Sequence, residues 1–520
     1  MDESHHRMKR LIGIGVCVAY LGWFVLGSVV AEAQTNVSPS PPLEQALADL
    51  SSEVDGTREQ AVRLLIEQGD GALLPRLEEL RANADRSLRM AIKPVIDTWR
   101  NHANLASPDA DTRRTAATDL GMSGRPAAIP WLQAAAANES HRWARYAMEE
   151  SALLLQLASD NPAAQQQAAV KLGEMRSQNA VPALQALVQA GGGESATAEQ
   201  KALAQRATAA IERIESWNVW SSTIETLFRG ISLSSILLIM SLGLAIVFGL
   251  MGVINMAHGE LMMIGAYATF VMQECFKLYA PESWFDSYYL AALPAAFLAS
   301  ALFGLILEAT VIRFLYGRPL ETMLATWGVS LILIQGARMY FGDLTAITAP
   351  SWLNGGAQVL VGVFLPFNRL FIIGLSILSV MGIYALLFRS RIGLRVRAVT
   401  QNRSMSACLG ILTRKVDAYT FAFGSGLAGI AGWALTLVGN VEPGLGQNYI
   451  VDSFMVVVTG GVGKLAGTII ASLGIGGLNK LMEPSFGAVY GKVLILVLVI
   501  LFLQRRPSGL FAVKGRHAEG

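Results

Sequence analysis

The sequence predicts an all-α chain: a polytopic helical membrane domain of about nine crossings, one pair of them broken or re-entrant, behind an N-terminal domain of helical repeats. Three observations predict it. Beyond Ile224 the chain becomes a succession of apolar segments joined by loops that alternate between rich and poor in Lys and Arg. Before that point an Ala- and Leu-rich pattern recurs at intervals of 55 and 52 residues. Across all 520 residues, 52% are hydrophobic and 15% charged, with a mean hydropathy of +0.42, an apolar share above that of an ordinary soluble domain. Lys plus Arg exceed Asp plus Glu by only 2, which gives no reason to expect a nucleic-acid partner.

At the N-terminus, Arg7, Lys9 and Arg10 precede an apolar run from Leu11 to Val30, and Ala31-Glu32-Ala33 supplies the small-x-small pattern of an export signal. The run is longer than the ~7–15 residues usual for a signal peptide. Residues 1–33 therefore read as a signal peptide or an uncleaved signal anchor, and either places the next segment outside the cytoplasm. Ile14-Gly15-Val16 is a poor lipoprotein site before Cys17, and with Cys275 and Cys408 far away no disulfide framework is expected.

A Pro/Ser-containing linker, residues 34–43, leads to an extracytoplasmic repeat domain expected over 44–216. Arg58–Leu77, Arg113–Leu132 and Gln165–Leu184 share an Ala/Leu helix face, a Gly-containing turn and a Pro two residues before a Leu. Pro75, Pro130 and Pro182 recur at the same intervals as Leu65, Leu120 and Leu172. Further helical stretches follow at Arg86–Trp99, His141–Leu157 and Gln200–Ile214, so each unit contributes several antiparallel helices. The pattern resembles HEAT-type repeats, which stack because one helical pair cannot bury its own apolar face. Such a stack serves as a protein-binding surface, or as a spacer or cap. No catalytic constellation stands out here; His102 and His141 are isolated and read as surface or packing residues rather than metal ligands.

The membrane domain is expected over 224–511. Segments of spanning length, roughly 20 residues each, occur near Ile231–Leu250, Val253–Met272, Tyr289–Leu307, Leu320–Tyr340, Leu370–Phe388, Val416–Val438 and Val489–Leu503. Each must be helical, because lipid offers its backbone no hydrogen-bond partner. Arg313 and Arg318, the run from Arg389 to Lys415, and Arg505 to Arg516 mark cytoplasmic loops, including a cytoplasmic tail at 512–520. The intervening loops carry Lys277 or no basic residue. Counting back from Arg313 again puts the repeat domain outside. Ile450–Lys480 must then enter and return, breaking at Gly460-Gly461-Val462-Gly463, where glycine permits a turn or a close helix contact. Gly463-Lys464 is not a phosphate loop: Val458 stands where that motif needs Gly, and Leu465 where it needs Ser or Thr. Any ATP-driven role therefore requires a separate subunit, and the chain is expected to have no ATPase site of its own.

The most unusual stretch is Gly249–Thr269, where Asn255, His258 and Glu260 interrupt lipid-length apolar sequence. Polar groups there are costly unless they face a protected interior or water. GLMGVINMAHGELMMIGAY (from Gly249), RSRIGLRVRAVTQNRSMSACLGI (from Arg389), FAFGSGLAGIAGWAL (from Phe421) and SFMVVVTGGVGKLAGTIIAS (from Ser453) resemble the permeases of branched-chain amino acid ABC importers, over about Ile224–Phe511. Within that family, RFLYGRPLETMLATWGVSLILIQ (from Arg313), PSWLNGG (from Pro350), LPFNRLFII (from Leu365) and the exported N-terminal region most resemble the urea-importer branch.

The resemblance implies a permease in the bacterial inner membrane. It implies as partners a second permease subunit, two cytoplasmic ATPase subunits that bind ATP and an extracytoplasmic substrate-binding protein, with membrane lipid around the spans and no cofactor in this chain. The implied substrate is urea; a branched-chain amino acid or short-chain amide is the closest competitor. Urea is neutral and needs hydrogen-bonding groups but no counter-ion, so Asn255, His258, Glu260, Thr326 and Gln335 are the candidate translocation-path residues. Each has a structural alternative: Asn255 and Glu260 cap the helix break, Thr326 bonds its own helix backbone, and His258 fixes the turn. The resemblance also places the ATPase-coupling helix near Asn402–Gly410. Arg397, Asn402, Ala407 and Gly410 are the candidate docking residues there, since a packed interface needs small and apolar groups beside charges; the other arginines set topology. An uncoupled amide channel or a membrane receptor are the rival classes, distinguished by transport without the ATPases or by binding without flux.

Overall fold

The computed structural model describes residues 41–50, 55–69, 71–193 and 196–511. The expected signal segment, most of the linker and the 512–520 tail lie outside them. Internal contacts divide the chain at Arg213/Ile214 into two units, each taken by itself below.

In the first unit, α1 (Pro41–Asp49) is followed by helices in sets of three. These are α2 (Asp55–Glu67), α3 (Leu74–Asn83) and α4 (Arg86–Asn104); α5 (Ala110–Met122), α6 (Ala128–Asn138) and α7 (Arg142–Leu157); then α8 (Pro162–Met175), α9 (Val181–Gly191) and the start of α10 (Ala198–Met251). The sequence interval reappears as equal burial: Leu65, Leu120 and Leu172 are each at most 1% exposed, as are Leu77, Leu132 and Leu184. Pro75 and Pro182 sit in the first turns of α3 and α9, where a missing N–H leaves no hydrogen bond unmade. Asp85, Asp109 and Asn161 accept backbone N–H groups as caps of α4, α5 and α8. His141 does the same for α7, its Nδ1 accepting from the Ala144 N–H at 3.4 Å. His102 packs its ring 4.4 Å from that of Trp131. Truncation of Leu120, Leu65 or Leu172 to Ala is expected to cost about 2–5 kcal/mol each, by a similar amount in all three sets, read as loss of protease resistance of the full-length protein on heating.

The second set carries a polar clamp. Glu139 accepts both arms of the Arg113 guanidinium, at 2.6 and 2.9 Å, and the His141 N–H at 2.8 Å. The Arg113 hydrogen bonds, opposed by desolvation, hold its carboxyl down at about 2. A group whose folded pKa lies below its unfolded value of about 4.3 stabilises the fold above that unfolded value, and the contribution is lost as pH falls through the folded one. Arg113→Leu should therefore lower the melting temperature of the first unit by several degrees at pH 7, with the gap from wild type closing between pH 4 and pH 2.

The second unit begins within α10. A helical stretch Gln200–Ile214 and a separate span Ile231–Leu250 were expected; the structure makes one helix of 54 residues, because nothing between them, neither Gly-rich nor Pro-containing, stops it. The span expected at Val253–Met272 is corrected to α11 (His258–Tyr279). Gly252 leaves α10 with φ +68°, and the Asn255 side chain accepts from the Ala257 N–H at 3.0 Å, so the backbone is not helical until His258. Next come α12 (Tyr288–Thr310), α13 (Pro319–Phe341), α14 (Phe367–Arg389), α15 (Arg391–Gln401), α16 (Arg403–Cys408), α17 (Thr413–Leu435), α18 (Leu445–Gly460) and α19 (Leu465–Arg505). The turn between α18 and α19 falls at the expected glycines, and α19 itself breaks at Gly487 (φ 77°), one turn after Pro484.

The all-α expectation needs one correction: β1 (Gly356–Leu360) and β2 (Val363–Pro366) pair antiparallel across a tight turn at Val361-Gly362. The Trp217 indole N–H of α10 donates to the Val361 carbonyl at 2.8 Å and fixes that turn.

Among the described residues, five helical stretches, Ala198–Met251, Glu282–Phe314, Pro319–Phe341, Phe367–Arg389 and Leu465–Arg505, are long and apolar enough to cross a membrane by length and composition. The core of this unit is the packing of α11, α12 and α17. Trp433 and Tyr289, both fully buried, stack at 4.6 Å. Each donates to the other's carbonyl, Trp433 Nε1 at 3.0 Å and Tyr289 Oη at 2.8 Å, so two aromatic polar ends are satisfied inside the bundle.

Candidate functional site

The break between α10 and α11 gathers groups from four helices. His258, at the first position of α11, is fully buried, and its Nε2 lies 3.2 Å from the Met240 carbonyl of α10. A carbonyl only accepts, so Nε2 carries the hydrogen. Thr326 of α13 accepts the Met256 N–H at 3.1 Å while donating to the Thr322 carbonyl at 2.8 Å, joining the non-helical segment to α13. Glu260, 1% exposed, faces Ser330, one turn further along α13. Between His258 and Glu260, Gly259 meets Gly446 at the start of α18: a Cβ at 259 would stand 2.4 Å from the Gly446 oxygen.

Four of the five path candidates, Asn255, His258, Glu260 and Thr326, are therefore assembled at one place, each at most 1% exposed. Three retain a buried atom with no hydrogen-bond partner: Asn255 Nδ2, His258 Nδ1 and Glu260 Oε2. Buried polar atoms are nearly always paired, so three orphans on neighbouring residues mark a place that is polar beyond what its own packing uses. Structural roles are also present, since Asn255 Oδ1 holds the Ala257 N–H in the break and Thr326 bonds its own helix.

Gln335 stands apart. Nine residues beyond Thr326, at about 100° per residue, it faces the opposite side of α13; it is exposed and accepts from Arg338 at 3.5 Å. Ser330 was missed, although Thr322, Thr326 and Ser330 recur every fourth residue as a buried polar stripe. The opposite faces of that helix leave Leu324, Trp327 and Ile332 exposed, so α13 buries its polar stripe and turns apolar side chains outward.

The basic loop, with α15 and α16, connects α14 to α17. Asn402 caps α16, its Oδ1 accepting the Met405 N–H at 2.9 Å, and Gly410 ends the element with φ +83°. Ala407 is exposed, as is Arg397, whose guanidinium lies 5.1 Å over the Phe388 ring. The short helix is held by Arg403, which the sequence reading passed over. Its guanidinium grips both oxygens of Asp417, at 3.2 and 2.5 Å, and lies 4.3 Å over the Tyr316 ring. Met405, Leu409 and Leu412 project outward at 57%, 76% and 64% exposure, and a groove of about 550 Å³ runs between α15 and the start of α17, lined by Ile392, Arg395, Gly410 and Tyr419 among others.

A family model described as the branched-chain amino acid transport system permease component matches residues 226–503. The high-affinity branched-chain amino acid transport system permease protein BraD of Pseudomonas aeruginosa is 30% identical over 293 residues, 55% of this chain and 95% of BraD. The corresponding permease protein LivH of Escherichia coli is 28% identical over 295 residues, 55% of this chain and 94% of LivH. A probable LivH of Methanocaldococcus jannaschii is 27% identical over 292 residues, 54% of this chain and 90% of its own length. No solved structure matches the chain significantly.

Proposed function

We propose, from the premise that this chain belongs to the branched-chain amino acid transport permease family, that it is the membrane-spanning subunit of an ATP-driven, binding-protein-dependent importer of a small polar solute. The observation that carries the reading is the buried break, where Asn255, His258 and Glu260 keep unpartnered atoms at the meeting of α10, α11, α13 and α18. Discontinuous helices with spare polar groups are where transporters place their solute sites. ATP is hydrolysed by two separate cytoplasmic subunits, docked on α16 and the groove beside it, with Arg397, Asn402, Ala407 and Gly410 in or flanking that surface. A second permease subunit covers the outward-facing apolar side chains, and an extracytoplasmic binding protein delivers the solute. The distribution of Lys and Arg supports about nine crossings, with the basic loop in the cytoplasm and the repeat domain, 44–216, outside an inner membrane.

For the substrate, the names of the relatives support a branched-chain amino acid. Urea is the second reading. It is favoured by the stretches from Arg313, Pro350 and Leu365, and by the break itself: Glu260 forms no ion pair among the described residues, an arrangement suited to a neutral N–H donor and less so to a solute carboxylate. The test is uptake of radiolabelled leucine and urea at micromolar concentration in cells lacking only this chain. The reading expects one of the two to be lost and restored by the intact gene, but not by a gene disrupted over Asn402–Gly410. Uptake that persists without the ATPases would overturn it in favour of a channel, and loss of neither solute would overturn it outright.

A further inference from the structure

The second unit holds another polar pocket, of about 340 Å³, between the end of α17, the first turns of α18 and the interrupted part of α19. Opposite charges line it. Asp452 of α18, 4% exposed, pairs at 3.3 Å with Lys492 of α19, which follows the Gly487 break. Lys492 Nζ also donates to the Asn448 carbonyl at 3.1 Å and lies 6.0 Å from the centre of the Tyr449 ring. On the rim, Asn448 Nδ2 donates to Glu442 at 3.0 Å, and Lys480 pairs with Glu483 at 2.5 Å. Leucines of α10, α17 and α18, together with Asn440, Asn479 and Ala488, complete the wall.

Burying a carboxylate such as Asp452 within an apolar bundle is costly, and such groups mark solute pathways more often than structure alone. Here the acid and its lysine come from two different helices, α18 and α19, the lysine standing five residues beyond the Gly487 interruption of its own helix, with open volume beside them. That volume lies at the low end of the ~300–1,000 Å³ of ligand pockets, so the occupant is small. The walls offer carboxylate acceptors and ammonium donors together, and the complementary solute has N–H groups at one end and a carbonyl or carboxylate oxygen at the other.

We propose that this pocket is an entry site for the transported solute, with its N–H groups on Asp452 and Glu442 and its oxygen on Lys492, before it reaches the break at Asn255–Glu260. The proposal rests on the permease reading above. An amino acid and urea share this two-ended chemistry, and the two probes below distinguish them.

The test is ligand-observed NMR of leucine and of urea, each at millimolar concentration, with the full-length chain in detergent micelles. Uptake by cells carrying the same variants is measured beside it. One solute should give a saturation-transfer signal with wild type, keep it with Lys492→Arg, and lose at least four-fifths of it with Lys492→Met and with Ala488→Trp. The last fills the pocket from an exposed lining position and leaves the ion pair intact, so it serves even where removal of the charge prevents folding. No signal from either solute with wild type, or an undiminished signal with Ala488→Trp at normal protein yield, overturns the entry site while normal uptake leaves the permease reading standing. Absence of both uptakes in wild-type cells removes the permease reading and this proposal with it.

Discussion

Replacing Gly259 with leucine is expected to abolish uptake of whichever solute the protein carries, by at least a hundredfold, and alanine at the same position to reduce it at least tenfold. The reason is the identity of the atoms in the way. A Cβ at 259 would sit 2.4 Å from the Gly446 oxygen and 2.7 Å from its carbonyl carbon, and one at 446 would sit 2.3 Å from the Gly259 carbon. Both obstacles are backbone, so no side chain can rotate aside and α11 and α18 must separate. Overpacking a filled interior costs about 1–3 kcal/mol even where side chains absorb it, and backbone contacts leave less room to relax. The functional cost is larger than the stability cost because of what flanks the glycine. His258 reaches α10 through the Met240 carbonyl, and Glu260 faces Ser330 of α13, so displacing residue 259 moves both polar groups out of place. Gly328→Ala, at a position with nothing within 4 Å of the new methyl, is the control and should match wild type. Uptake and membrane level are measured together; full uptake by Gly259→Ala would show that the close approach is not required.

The glycine contact also explains what was legible in the sequence and what was not. Helix identity followed from apolar runs, and the shared burial of Leu65, Leu120 and Leu172 from their spacing, because periodic burial writes itself into periodic sequence. The interruption at 252–257 was visible as polar residues in an apolar stretch. Its length was not, since Val253 and Ile254 are as apolar as any spanning residue, and it is the positive φ of Gly252 that ends the helix there, with Asn255 turning the chain at Ala257. Asn255, His258 and Glu260 could be picked out as a group from their closeness in sequence. Ser330 and Gly446 lie far along the chain, and their part depends on how α13 and α18 pack against α11, which no local pattern encodes. Gln335 failed to join them for a related reason: a polar residue in an apolar helix shows that some face is special without showing which, and the four-residue rhythm of Thr322, Thr326 and Ser330 was the better guide.

The same distinction governs the basic loop, where charge is easily read and pairing is not. Among its many arginines, Arg403 alone is clamped to a buried acid within the described residues of the loop and α17. Arg403→Ala is therefore expected to reduce uptake at least tenfold while leaving the membrane level within about twofold of wild type. The side chain ties a six-residue helix to Asp417 of α17 and to Tyr316. An isolated helix that short is unstable in water, so its geometry depends on the tie and on the Asn402 cap. Without the tie, Met405 and Leu409 are no longer presented in a fixed arrangement, and an interface that relies on projecting apolar anchors loses its centre. The packing of α11, α12 and α17 is untouched, which is why the protein should still accumulate. Asp417→Ala should reproduce the loss and add instability, since it strands Arg403 partly buried; Asp417→Glu, which keeps the charge one methylene further out, should recover part of the uptake. Arg397→Ala, which removes only a cation from the face of Phe388, should cost less than threefold. Co-purification of the ATPase subunits with the tagged chain separates the two ways uptake can fall. If Arg403→Ala abolishes uptake yet retains the full complement of ATPase, the helix transmits motion without supplying the docking affinity; if it changes neither, the clamp on Asp417 is structural and the coupling surface lies elsewhere.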